Sequence, residues 1–355
     1  MQESIVPLRL LIVGYGNVAR SLLPLLASRR TWFEQTLHVT PYISGIGTRH
    51  QGFYVYSDGV PADILAQQSD PFVWFRTHGQ RMENIEQFIT IGASVSASVC
   101  IELTTLQPQN GEPARTHIRT ALQSGMHVIT ANKGPVAYAQ HELLALARQH
   151  HRQFRFESTV MDGFPLLNLK QFTLQAVGIR AFRALLNTTS SLVLSLIEQG
   201  RTMQEAIHDA QERGIAEADP SYDLDGWDAA MKTTILANTL LEGNIQPSMV
   251  TRESIRTLSL EDIREAARMG TPVRLISEAK YVQNSIVASV HPQKIQANDI
   301  LLTARGTTSI ITLETETMGT MSFVEHEPEV IQTAYGVMSD LIIIQQSQYP
   351  EDSTG

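Results

Sequence analysis

Leu8-Arg9-Leu10-Leu11-Ile12-Val13-Gly14-Tyr15-Gly16-Asn17-Val18-Ala19 decides how the rest of the chain is read. The run from Leu8 to Val13 is apolar, as a buried parallel strand would be. Glycines interrupt it, and Ser21 to Ala27 then reads as helix. Strand, glycine turn and helix form the context that a G-x-G-x-x-G/A dinucleotide fingerprint requires. Gly14 permits the tight turn, Gly16 lets the backbone approach a pyrophosphate, and Ala19 stands where a third glycine often does. Gly14, Gly16, Asn17 and Val18 are therefore candidate cofactor contacts. Glycine turns also occur in α/β proteins that bind no nucleotide, so the surrounding chain has to agree.

A second strand is expected from about Leu37 to Ser44, followed by Gly45-Ile46-Gly47-Thr48-Arg49-His50. A cofactor without a 2′-phosphate usually finds Asp or Glu near this strand end. The charged residue here is Arg49, which favours NADP over NAD. Ser94 to Leu103 is apolar and β-branched, with Thr104-Thr105 after it. Pro113 to Ser124 has helical spacing and stops at Gly125. Met126 to Thr130 reads as strand, Val136 to His150 as amphipathic helix, and Phe154 to Glu157 as the last strand. Strands alternating with helices from 8 to 157 imply an α/β unit with a doubly wound parallel sheet.

Beyond that the pattern changes. Gln171 to Asn187 reads mostly as strand and Thr189 to Gln199 as apolar helix. Thr202 and Glu205 have capping-box spacing. Helices are expected at Trp227 to Leu241 and Leu260 to Met269, strands between Val273 and Phe323, and a final helix at Thr333 to Ile344. This is an α+β pattern with a mixed or antiparallel sheet. The expected division is a dinucleotide-binding domain over 1–155, a substrate-binding and dimerisation domain over 156–330, and a C-terminal helix over 331–348 returning to the first domain.

The 355 residues are 43% apolar and 18% charged, enough to bury two cores. A net charge of −9 argues against a nucleic-acid partner and an anionic membrane surface. No run approaches the roughly 20 apolar residues that span a bilayer. The single cysteine, Cys100, sits in the apolar run Ala97 to Ile101, which suits burial in a reducing compartment. A cytoplasmic protein is expected.

Gly214-Ile215-Ala216-Glu217-Ala218-Asp219-Pro220-Ser221-Tyr222-Asp223-Leu224-Asp225-Gly226-Trp227-Asp228-Ala229-Ala230-Met231-Lys232 packs five carboxylates ahead of a lysine on an apolar helix. Asp228 and Lys232 are four apart and share a helix face. A lysine beside a carboxylate can move protons, and neighbouring acids can hold a substrate ammonium. On a solvated face the same pair would be an ordinary surface ion pair, but Trp227, Ala229, Ala230 and Ile235 surround it.

This stretch resembles the substrate-binding segment of homoserine dehydrogenases, in which Gly-(Ile/Tyr)-Ala-Glu-x-Asp-Pro leads into Asp-x-x-Gly-x-Asp-Ala-Ala-x-Lys. The resemblance extends over almost the whole chain. Ile129 to Pro135 is similar to the family's Val-Thr-Ala-Asn-Lys segment, and Glu102-Leu103-Thr104-Thr105 to the strand end over the nicotinamide. Glu157 to Pro165 resembles the link between cofactor and substrate domains, and Gln332 to Leu341 the C-terminal helix. The chain departs at Asn187-Thr188-Thr189-Ser190-Ser191, where the family often has Asn-Gly-Thr-Thr-Asn. It departs again at His326 to Val330, where the family often has Gly-Ala-Gly.

The resemblance implies a Rossmann-type domain joined to an α+β substrate and dimerisation domain, in a short form with no regulatory module. It implies a homodimer that interconverts L-homoserine and L-aspartate 4-semialdehyde with NADP or NAD, in threonine and methionine biosynthesis. Lys232 would transfer the hydroxyl proton with Asp228 as its partner, and Lys133 could share that role. Glu217, Asp223 and Asp228 would hold homoserine. Gly14, Gly16, Asn17, Val18, Arg49, Thr104 and Lys133 would hold the cofactor. A sodium ion would lie on main-chain carbonyls of Glu157, Val160, Asp162 and Phe164. Two other readings compete: a semialdehyde-oxidising enzyme, which needs an activated thiol that Cys100 is poorly placed to supply, and a catalytically altered, nucleotide-binding relative.

Overall fold

The computed structural model describes residues 5–304 and 306–348. The chain divides into two compact units, one of residues 1–165 with 329–355 and one of residues 166–328.

The first unit holds β1 (Val6–Val13), β2 (Val39–Thr48), β3 (Gly52–Pro61), β4 (Gln80–Met82), β5 (Val99–Glu102), β6 (His127–Thr130) and β7 (Phe154–Arg155). They form one sheet in the order β4-β3-β2-β1-β5-β6-β7. The five strands from β2 to β7 through β1 run parallel. Leu10, Leu11, Ile12 and Val13 are fully buried, as a strand covered by helices on both faces requires. β2 and β5 flank β1, so the strand order reverses there. The carboxyl ends of β1 and β5 are thus the switch point at which such sheets bind ligands.

The sheet departs from the expected alternation at one edge. β2 continues through Gly45-Ile46-Gly47, then turns at Arg49 and returns as antiparallel β3, with β4 antiparallel beyond it. The strand expected to end at about Ser44 runs on to Thr48, and Gly45 and Gly47 are strand residues without room for a side chain. A Cβ on Gly45 would lie 2.6 Å from Leu11 Cδ1 and 2.9 Å from the Tyr54 carbonyl, and one on Gly47 would lie 2.5 Å from Phe53 Cδ1.

The second unit contains β8 (Ile179–Leu185), β9 (Thr251–Arg252), β10 (Val273–Val282), β11 (Ser285–Lys294), β12 (Ser309–Thr315) and β13 (Thr320–Glu325), in the order β13-β12-β8-β10-β11-β9. All pairs are antiparallel except β11 with β9, so the sheet is mixed. The strand expected from Gln171 is a correction: Leu166–Phe172 is helix, and β8 begins only after Gly178 at φ +67. Leu166 and Leu167 are buried while Gln171 and Phe172 are exposed, a helical rather than an alternating pattern. Thr202 and Glu205 form the capping box as read from their spacing.

The C-terminal helix, Val330–Gln348, belongs to the first unit and buries Ala334, Val337, Met338, Leu341 and Ile344 in its core. Among the described residues, no helix is long and apolar enough to cross a membrane.

Candidate active site

In each unit the candidate residues gather where strands end. In the first unit Gly14 has φ +94, and its N–H donates to the Gly47 carbonyl at 2.8 Å. A Cβ there would lie 2.6 Å from the Leu103 carbonyl carbon and oxygen, so only glycine lets β1 turn beside the end of β5. Gly16 differs, because nothing lies within 4 Å of where its Cβ would be. Gly16 is the N-cap of the helix Asn17–Ser28, which has no side-chain cap. Unsatisfied N–H groups at a helix start, reached over a glycine, fit a pyrophosphate.

A cavity of about 130 Å³ adjoins this turn, lined by Val18, Leu103, Thr104, Leu106, Ala131, Asn132 and Lys133. It brings the expected cofactor residues Val18, Thr104 and Lys133 together at the carboxyl ends of β1, β5 and β6. A residue missed in the sequence organises it. Glu102, fully buried, accepts hydrogen bonds from the Thr104 N–H at 3.1 Å and the Thr130 hydroxyl at 3.1 Å, and another from the Thr104 hydroxyl. Asn132 Nδ2 donates to the Thr104 carbonyl at 3.1 Å, and its Oδ1 caps the helix Lys133–Gln149 through the Gly134 N–H. Lys133 is thereby fixed at the first helical position, on the cavity wall. Two strand-end segments are thus tied to one buried carboxylate, and nothing in local spacing announces it.

Arg49 is exposed in the turn after β2. β1 and β2 are parallel with Val13 opposite Gly47, so Arg49 lies at the same edge as the glycine turn. A second arginine reaches this turn, Arg76 donating to Gln51 Oε1 at 3.2 Å and to Asp70 Oδ2 at 3.2 Å.

Cys100 lies in β5 and is fully buried. Burial, and secondarily the negative charge of Glu102, push its thiol far above the ordinary range. That is the opposite of an activated nucleophile. The linking segment is irregular: Glu157–Thr159 is a single 3-10 turn, and Asp162 has φ +42. Arg155 Nε lies 3.0 Å from Asp340 Oδ1, and Asp340 Oδ2 accepts the Glu157 N–H at 2.9 Å, which ties the segment to the C-terminal helix.

In the second unit the five acids of the 214–232 stretch separate. Asp219 is exposed, and hydrogen bonds from the Ser221 side chain and then from the Ser221 N–H hold its carboxyl below the usual range. Asp225 turns to the Ser254 hydroxyl at 2.6 Å and to Arg256 at 3.6 Å. Glu217 is exposed. Asp223 and Asp228 converge. Gly226, at φ +77, starts the helix Trp227–Leu240, which carries Asp228 and Lys232 on one face, Nζ 3.4 Å from Asp228 Oδ2. Asp228 is only 7% exposed, so this is no solvated surface pair. Lys232 Nζ also donates to the Leu186 carbonyl at 2.7 Å.

The joint between the two carboxylates is Asn187, the residue that opens the run Asn187-Thr188-Thr189-Ser190-Ser191. Its Nδ2 donates to Asp223 Oδ1 at 2.7 Å and to Asp228 Oδ2 at 3.0 Å. The departure at His326–Val330 lies partly in this unit, where Glu327 has φ +43 and its carboxylate sits where a Cβ on Gly306 would be 3.1 Å from Oε1.

A dinucleotide fold with an open glycine turn, joined to a unit that sets a lysine among carboxylates, defines a nicotinamide-dependent dehydrogenase. Comparison with known proteins names the family. Residues 14–157 match the NAD-binding domain of homoserine dehydrogenase, and residues 165–342 match the homoserine dehydrogenase family itself. An NAD(+)-dependent homoserine dehydrogenase of Pseudomonas canavaninivorans is 33% identical over 96% of both chains. A homoserine dehydrogenase of Methanocaldococcus jannaschii is 29% identical over 95% of this chain and 98% of its own. Among solved structures, a putative homoserine dehydrogenase from Archaeoglobus fulgidus superposes with a TM-score of 0.80 at 27% identity, over 95% of this chain and 99% of that one. The chain belongs to the homoserine dehydrogenase family and is an NAD(P)-dependent oxidoreductase acting on a hydroxyl group of a small molecule.

Proposed function

We propose that Lys232 is the acid–base group of this enzyme and that Asp223, Asp228 and Glu217 hold the amino alcohol. The observation that carries this reading is the chain of contacts from the Leu186 carbonyl through Lys232, Asp228 and Asn187 to Asp223. In the oxidising direction the substrate hydroxyl gives its proton to Lys232 Nζ, and its carbinol carbon loses a hydride. The nicotinamide, when bound, supplies the hydride acceptor. In the reducing direction Lys232 returns the proton to the forming alkoxide. Asp228 holds the Lys232 side chain in one orientation, and the Leu186 carbonyl holds it from the other side. The substrate ammonium is recognised by carboxylates, and Asn187 keeps two of them at a fixed spacing. Thr104, Asn132 and Lys133 line the pocket that fits the nicotinamide, braced by Glu102.

Glu217 stands apart from the hydrogen bonds that join Asp223, Asp228 and Lys232, and its role is ground-state clamping. Glu217→Gln is expected to raise KM for homoserine about tenfold, the size of one hydrogen bond to a charged group, with kcat little changed. Steady-state oxidation followed at the reduced nicotinamide band tests this. A collapsed kcat at unchanged KM would move Glu217 from holding the substrate to the chemistry.

We infer further that NADP(H) is used at least as well as NAD(H). Arg49 lies at the carboxyl edge of β2, and Arg76 reaches the same turn through Gln51. A guanidinium there suits a 2′-phosphate through paired charge-assisted bonds. Arg49→Ala is expected to weaken NADP(H) binding roughly tenfold or more and to leave NAD(H) binding nearly unchanged. Titration of both cofactors into both proteins decides it. A wild type that strongly prefers NAD(H), as the name of the Pseudomonas relative would suggest, and is indifferent to the change would make Arg49 a solvated loop residue.

A further inference from the structure

We propose that Asn187 is a positioning residue of the substrate half, and that its amide sets the spacing of Asp223 and Asp228 and, through Asp228, the placement of Lys232. The inference rests on those three residues meeting the substrate. Asn187 is 3% exposed, between the end of β8 and the helix Thr188–Glu198. Its Oδ1 accepts the Ser190 N–H at 2.8 Å, a group that can only donate, so the amide orientation is fixed and Nδ2 faces the acids. Both Nδ2 hydrogens are used, at 2.7 Å on Asp223 and 3.0 Å on Asp228.

Two carboxylates no further apart than those two bonds allow repel one another. A donor between them offsets the repulsion and makes their separation a property of the fold rather than of the substrate. The preceding residue, Leu186, meanwhile accepts from Lys232 Nζ at 2.7 Å. Two consecutive residues at one strand end therefore fix three charged side chains from two other elements. Because Asn187 also caps its helix, the amide cannot rotate away from the acids without uncapping that helix. The rest of the run, Thr188 to Ser191, can differ from the family's common pattern while this function stays with Asn187.

Serine and aspartate cap helices about as well as asparagine, so Asn187→Ser and Asn187→Asp keep the cap and change only what faces the acids. Asn187→Ser removes the bridging donor. Asn187→Asp places an acceptor against two acceptors. The expected result for Asn187→Ser is a KM for homoserine raised roughly tenfold or more, with the cofactor KM within about twofold of wild type and circular dichroism and Tm close to wild type. Asn187→Asp should show a larger rise. An Asn187→Ser enzyme with a wild-type KM for homoserine overturns the proposal. So does one in which both KM values rise together as Tm falls, because that pattern belongs to a merely structural residue. Lys232→Ala, run alongside, separates the two levels. If it stays active, the reading of the whole substrate half fails. If it is inactive while Asn187→Ser behaves as wild type, only the role of Asn187 fails.

Discussion

Lys232→Ala is expected to lower kcat by roughly 10²–10⁴-fold, the range that positioned acid–base groups contribute, while the nicotinamide cofactor binds as before. The large effect follows from the uniqueness of the group's surroundings. Nζ is held between Asp228 at 3.4 Å and the Leu186 carbonyl at 2.7 Å, so it occupies one place rather than sampling solvent. The variant should fold. Its removal takes one partner from Asp228, which keeps the bond from Asn187 at 3.0 Å. The turn at Gly14 and the cavity beside it, to which we assign the cofactor, belong to the other unit. Fluorescence titration with reduced cofactor, beside steady-state kinetics, distinguishes lost chemistry from lost binding. Near-normal kcat in Lys232→Ala would remove the residue from the mechanism and direct attention to Lys133.

The second large effect concerns stability. Asp340→Ala is expected to cost about 3–5 kcal/mol, the usual cost of breaking a buried ion pair by deleting one member. For a unit of this size that corresponds to a Tm lower by about 10 °C. Asp340 is 1% exposed and Arg155 6% exposed, and the same carboxylate accepts the Glu157 N–H. Deletion therefore removes the carboxylate from a buried guanidinium and from the first residue of the linking segment at once. Asp340→Asn keeps the shape and one acceptor and should fall between. Denaturant titration of the three proteins measures it, and a loss below about 1 kcal/mol in Asp340→Ala would mean that water relieves the pair.

The parts of this molecule legible in the sequence are those encoded locally. The turn at Gly14 needs one conformation that only glycine reaches easily, and the helical repeat puts Asp228 and Lys232 on one face whatever surrounds them. Thr202 and Glu205 name their own capping box three residues apart. What stayed hidden depends on partners distant in sequence. Gly45 and Gly47 signal a turn by type, yet they are strand residues because Leu11, Phe53 and Tyr54 leave no room. Gln171 to Val177 misled because β-branched and apolar residues there belong to a helix end and a loop before β8. Asn187 looked like part of a family departure, and its importance depends on acids 36 and 41 positions away. Glu102 was legible only as part of the segment Glu102-Leu103-Thr104-Thr105, and only packing shows that its carboxylate braces two segments of the cavity beside the Gly14 turn.

The most direct test of the account is steady-state oxidation of L-homoserine by the purified wild-type protein with NADP⁺ and with NAD⁺ in parallel. The account predicts turnover that yields reduced nicotinamide and the 4-semialdehyde in equal amounts, with NADP⁺ at least as effective as NAD⁺. A folded protein that binds reduced cofactor yet oxidises no homoserine with either nucleotide would contradict it, and would mean that the lysine and its carboxylates hold a ligand without turning it over.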